Sequence, residues 1–280
     1  MTENYFNSIK KYLKDCTDPM DHPLLQKMDE LYSHIFLLCK QGDFEAAQTK
    51  LVAADERFDL LVKSTKVEDH VNILRLPIIA YLYFKLDDFQ KAEQYLNDSI
   101  QASIQLDTIH PSFFLEMFRV QQQHNNARIE FKKQAYPVWA LKMKQQFDEI
   151  LAHDLPLSGD EISVYAVMVD QLIYEVIVFC EYIKEDKYLK EMLENLSFQH
   201  SLFSTHESLK KLKNWCLVQS KVYAFHMDFL NSYEHVETIL NDRSLKELYR
   251  KSLLKSVAPY VSDQVFLDYL DLLTGKKLIS

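Results

Sequence analysis

Glycine is almost absent: three residues in 280, with only seven prolines. Sandwiches and α/β folds spend glycine on turns and phosphate loops, so this shortage excludes them in favour of helices joined by short connections. There is no glycine-rich phosphate loop, no GxSxG nucleophile elbow and no HExxH pair. The four cysteines, Cys16, Cys39, Cys180 and Cys216, stand alone, without a CxxC pair. They read as reduced and mostly buried thiols. The ten histidines are scattered, and neither His200 with His206 nor His226 with His235 has the i, i+4 spacing of a helical metal site. No metal and no cofactor are therefore expected. A basic face is missing too: the net charge is −9, spread over both halves. That argues against direct nucleic-acid binding and against docking on anionic membranes. The first sixteen residues lack a basic segment followed by an apolar run, so they do not read as a signal peptide. The most apolar stretch, Val164 to Ile183, carries Asp170, Gln171, Glu175 and Glu181, which fits a buried core helix better than a membrane span. A cytoplasmic protein is expected.

What is present is helical periodicity in an ordinary globular composition of 48% apolar and 26% charged residues. Leu24, Met28, Leu31, Ile35 and Leu38 mark one helix face; Ala47, Leu51, Ala54, Phe58 and Leu61 mark the next. Between them, Gly42 can end the first helix in a left-handed conformation and Asp43 can cap the second. The pattern returns around Ala80, Tyr83 and the run Lys85-Leu-Asp-Asp-Phe-Gln-Lys-Ala92, followed by Leu96 and Ser99. The turn aromatics Phe44 and Phe89 are followed by Tyr136, Tyr188 and Tyr233, each after a polar break. Pro137 suits the first turn of a helix. In the later three units Trp139, Glu191 and Val236 replace the small residue.

Phe44, Ala47, Leu51 and Ala54, and their counterparts in the second unit, resemble the tetratricopeptide-repeat (TPR) family. The aromatic spacing exceeds that family's 34-residue unit by about three helical turns, which lengthened helices accommodate. The family's closing proline is absent, with Asp59 and Ile104 at the matching places. The resemblance implies an all-α, α-α superhelix: one TPR-like solenoid over residues 1–280, with five antiparallel hairpins over 21–241. Residues 1–20 are expected to form an N-terminal cap helix. Residues 242–280 are expected to form C-terminal caps, around Arg243–Val257 and Ser262–Leu273.

In that family the first helix of each hairpin lines a concave groove. The resemblance places Tyr32, Phe36 and Lys40, then Tyr81 and Lys85, then Gln121, His124, Arg128 and Lys132 in it. It likewise assigns groove positions to Phe225, Asp228 and Phe229 in the fifth hairpin. The polar run from Gln121 to Arg128 is the leading site candidate, and such a run is also what a solvated helix face looks like. The recurring lysines suit helix C-termini whatever they bind. The family's carboxylate clamp is not reproduced, because Tyr32, Phe36, Pro77 and Tyr81 occupy its positions. The expected function is non-enzymatic: an adaptor or scaffold binding a protein or peptide of acidic character. Two alternatives stand beside it. One is a peptide-sensing regulator that controls a partner by changing shape. The other is an all-helical enzyme using Asp170, Glu175 and His124 in a closed pocket.

Overall fold

The computed structural model describes residues 2–153, 156–194, 196–224, 236 and 238–258. Among them every regular element is helical, and no strand occurs. The helices are α1 (Thr2–Asp15), α2 (His22–Gln41), α3 (Phe44–Leu61), α4 (Glu68–Lys85), α5 (Phe89–Ile109), α6 (Phe113–Lys132), α7 (Tyr136–Ala152), α8 (Gly159–Ile183), α9 (Lys187–Leu193), α10 (Leu202–Thr205), α11 (Glu207–Ala224) and α12 (Glu247–Val257). A short 3-10 turn, Pro19–Asp21, joins α1 to α2. The chain divides into two compact units, residues 1–142 with 158–165, and residues 143–157 with 166–280.

Unit 1 is built of hairpins. Phe44, Phe89 and Tyr136 each stand first in the second helix of their pair. All three turns share one device. Gly42, Asp87 and Gln134, each two residues before the aromatic, have φ of 81°, 58° and 61°. The next amide then reaches back over the helix end: Asp43 N–H donates to Leu38, Asp88 to Tyr83 and Ala135 to Glu130. This satisfies carbonyls that would otherwise be orphaned. Asp43 and Asp88 also accept from the amides of Ala46 and Lys91, capping α3 and α5.

Small residues set the packing. Ala80, Ala92, Leu96 and Ile129 form a buried cluster, with Tyr83, Phe84, Phe89 and Tyr95 packed against it. On α3 the buried residues are Ala47, Leu51, Ala54 and Phe58, the expected stripe, although Leu61 is exposed. On α2 the stripe is turned by one residue. Leu25, Met28, Tyr32, Ile35 and Cys39 are buried, while Leu24, Leu31 and Leu38 are only half-buried.

Helix α1 does more than cap the first hairpin. Ile9 and Leu13 are buried. Lys10 pairs with Asp29 of α2 at 2.8 Å, Tyr12 donates to the His110 carbonyl at 2.6 Å, and its ring meets Phe114 of α6. The helix thus lies across the N-terminal ends of α2 and α6.

Unit 2 departs from the hairpin plan. Lys184 ends α8 with φ of 58°, and Glu185 N–H donates to Cys180, repeating the turn device. Tyr188 is the second residue of α9, but α9 stops after seven residues. A segment at 196–200 and the four-residue α10 follow before α11 begins. Trp215, Cys216, Leu172 and Ile173 contribute to the core of this unit, and Trp215 Nε1 donates to the Tyr249 carbonyl at 2.8 Å. The C-terminal cap helix expected over 243–257 begins at Glu247. Tyr233, the groove positions Phe225, Asp228 and Phe229, and the cap at Ser262–Leu273 lie outside the described residues.

Candidate functional site

The C-terminal halves of α2, α4 and α6 carry Phe36 and Lys40, Tyr81 and Lys85, and Arg128 and Lys132, respectively. These are the same two positions on three successive first helices. Within each of the first two pairs, the one-turn spacing lays the lysine over the ring four residues earlier. The ammonium sits 4.5 Å from the Phe36 centroid and 5.3 Å from that of Tyr81. The two rings meet edge to face, with centroids 5.2 Å apart. Phe36 and Tyr81 are half-buried, whereas Lys40, Lys85 and Lys132 are exposed. Among the described residues, Lys40 and Lys85 have no carboxylate partner; Lys132 lies 4.0 Å from Asp87.

Between α4 and α6 the surface sinks into a small, half-open hollow of about 100 Å³. Its floor is Ala80, Leu96 and Ile129, members of the buried cluster, and its walls include Pro77, Tyr81 and Phe84. The hollow follows from the sequence: Ala80 ends at Cβ, and Pro77 projects no amide. On the α6 side stand Asn125 and Arg128. Arg128 donates to Asn125 Oδ1 at 2.9 Å, and Asn125 donates in turn to Gln122 Oε1 at 3.1 Å. An apolar hollow with a guanidinium at its edge can take an apolar side chain with an anion beside it.

Two of the expected groove residues lie elsewhere. Tyr32 is fully buried, and its hydroxyl donates to Asp55 at 2.7 Å. Asp55 also accepts from Arg75 at 3.1 Å, and the Arg75 guanidinium lies 3.6 Å above the Phe58 ring. Tyr32 therefore ties α2 to α3 and α4, and burial, with the bond to Asp55, pushes its phenol well above its ordinary range. His124 is also fully buried, in the core. Gln121 is half-buried and does not line the cavity. The polar run Gln121–Arg128 is thus largely structural and opens to the hollow only at Asn125 and Arg128. Pro77 and Phe84, which the same spacing from Phe89 assigns to this groove, and the small residue Ala80 shape the cavity.

Asp170 borders a pocket that Glu175 does not line. Asp170 accepts from Lys246 and, at 2.9 Å, from the Tyr249 hydroxyl. Burial, followed by the charge of Asp170 and its bond, holds the Tyr249 phenol far above its usual range. These groups border an open pocket of about 500 Å³ in unit 2, with Lys211 and the start of α11 on its wall. Glu175 is half-buried and does not line it. Helix α8, which carries both, is long and apolar enough by composition to cross a membrane, with a window of mean hydropathy 1.7.

Among the described residues, no group of three or more His, Cys, Asp or Glu side chains could hold a metal ion. All four cysteines are free thiols. Burial pushes the Cys180 thiol up to about 12, which leaves it a poor nucleophile. Comparison with protein-family models, curated proteins and solved structures finds no match to this chain.

Proposed function

We propose that this chain is a peptide- or protein-binding adaptor, built as a TPR-like stack, whose first-helix face receives an acidic segment of a partner. One observation carries the reading: Tyr81, Phe84 and Arg128, separated in sequence, converge on one apolar hollow. Lys40, Lys85 and Lys132 stand at equivalent positions one turn further along their helices. The surrounding chain is acidic, with a net charge of −9. A cationic strip in such a chain favours an anionic partner and disfavours self-association through the same face. The recurring turn device in α2, α4 and α6 supports a repeat architecture. The four free thiols fit a reducing compartment such as the cytoplasm.

Panning a random peptide library on the wild type and on a Tyr81→Ala/Arg128→Ala/Lys132→Ala variant tests this. The wild type is expected to enrich acidic sequences bearing an apolar residue, and the variant to lose that enrichment while melting as a folded protein. Enrichment of the same sequences by both would place binding away from this face.

A further inference from the structure

This inference rests on the reading above and concerns the one residue of the partner that the hollow receives. The floor, Ala80, Leu96 and Ile129, is buried and belongs to the core cluster, so the space above it is set by side chains held in place. The short side chain of Ala80 leaves that space, and Pro77, Tyr81 and Phe84 close it laterally.

Size selects what can enter. A buried apolar cavity of about 150 Å³ holds a benzene ring. The hollow offers only about 100 Å³ and is open on one side. It covers a branched aliphatic side chain, whereas a phenyl ring would stand partly in water and lose part of the benefit of burial.

Charge selects what stands beside that residue. The Arg128 guanidinium borders the hollow from α6. It donates to Asn125, and Asn125 donates to the buried Gln122, so a chain of bonds orients the cation from inside the helix pair. On the α4 side, the Tyr81 ring that walls the hollow carries the Lys85 ammonium 5.3 Å from its centroid. Cations thus stand on two helices, and no carboxylate is among the residues that line the hollow.

We propose that the hollow anchors a single branched aliphatic residue, leucine, isoleucine or valine, of a partner segment whose neighbouring residues are acidic. The anchor is desolvated against Ala80, Leu96 and Ile129, and the flanking carboxylates meet Arg128 on one side and Lys85 on the other. Aromatic residues, which supply the anchors of many protein interfaces, are disfavoured here by volume.

Short blocked peptides, fluorescein-labelled and carrying two glutamates on each side of one central residue, test this by fluorescence anisotropy on the full chain at low salt. The central residue is leucine, alanine or phenylalanine, and a fourth peptide keeps leucine but has glutamine in place of glutamate. Leucine is expected to bind about tenfold more tightly than alanine, and severalfold more tightly than phenylalanine. The glutamine peptide is expected to bind about tenfold more weakly than its glutamate counterpart. Arg128→Gln is expected to remove most of the advantage of glutamate while leaving leucine preferred over alanine. A photoactivatable leucine at the centre, crosslinked and mapped by mass spectrometry, is expected to mark α4 and α6 at the hollow. Equal binding by leucine and alanine, or preference for phenylalanine, would overturn the aliphatic anchor while leaving a receptor for acidic segments. Crosslinks confined to other helices would overturn its placement. Failure of every peptide to bind would overturn the receptor reading as well.

Discussion

Tyr32 and Phe36 are one helical turn apart, yet one is core and the other surface. Measured from the turn aromatic at about 100° per residue, positions four and eight before it lie near 40° and 80°, and positions five and twelve near 140° and 120°. The first pair, Lys40 and Phe36, faces outward; the second, Cys39 and Tyr32, turns toward the hairpin partner and is buried. The same rotation buries His124 and leaves Arg128 at the cavity. Spacing from the aromatic made the exposed positions legible. A polar side chain such as His124 gave no sign that it belongs inside.

His70 is a second buried polar residue at this scale. Neither ring nitrogen has a hydrogen-bond partner among the described residues. Desolvation and the neighbouring His110 lower its pKa, against a smaller opposing pull from Asp21. The folded state therefore refuses a proton that the unfolded chain accepts near pH 6.5. Stability due to this group is complete above that pH and is lost as pH falls through it, at up to about 1.4 kcal/mol per pH unit. Urea midpoints at pH 7, 6 and 5 are expected to fall more steeply for the wild type than for His70→Leu. Parallel slopes would show that the ring titrates freely in the folded protein.

At the scale of the element, hairpin turns reveal what sequence patterns hide. Gly42, Asp87, Gln134 and Lys184 all occupy the left-handed region at the end of a first helix, and only the first is glycine. Glycine marked the first turn in the sequence and an aromatic after a polar break marked the other three, whose left-handed residues only the backbone discloses. A residue with a Cβ is strained there by about 1–2 kcal/mol. Gly42→Ala is expected to destabilise the protein by about 1 kcal/mol, although its Cβ would meet nothing within 4 Å. Gln134→Gly is expected to stabilise by a similar amount, since the strain it relieves outweighs the added freedom of the unfolded chain. Chemical denaturation of the two variants, read as opposite shifts in midpoint at unchanged slope, checks both. Helix α9 was less legible: Tyr188 sits near its start as the spacing required, but nothing in that spacing announces a helix of seven residues.

For the whole molecule, periodicity and the scarcity of glycine were enough to read an all-helical chain. The division into two units was not legible, because its boundaries cut through α7 and α8, whose apolar patterns run on without a break. Nor was the reach of α1. A heptad-like stripe shows that a helix has an apolar side but not which distant surface covers it. Leu13→Asp is expected to free α1, so that the amides of residues 9–13 lose hydrogen-exchange protection while those of α4 and α5 keep theirs. Simultaneous loss across α4 would mean that α1 is integral to the core of its unit.

The contact between Tyr12 and His110 spans 98 residues. During synthesis, at roughly 5–20 residues per second, α1 must wait on the order of 5–20 s before its seat exists. Through that interval the contacts of Tyr12 with His110 and Phe114 are missing. A helix made first therefore docks only after α2 to α5 have been synthesised and α6 has followed them.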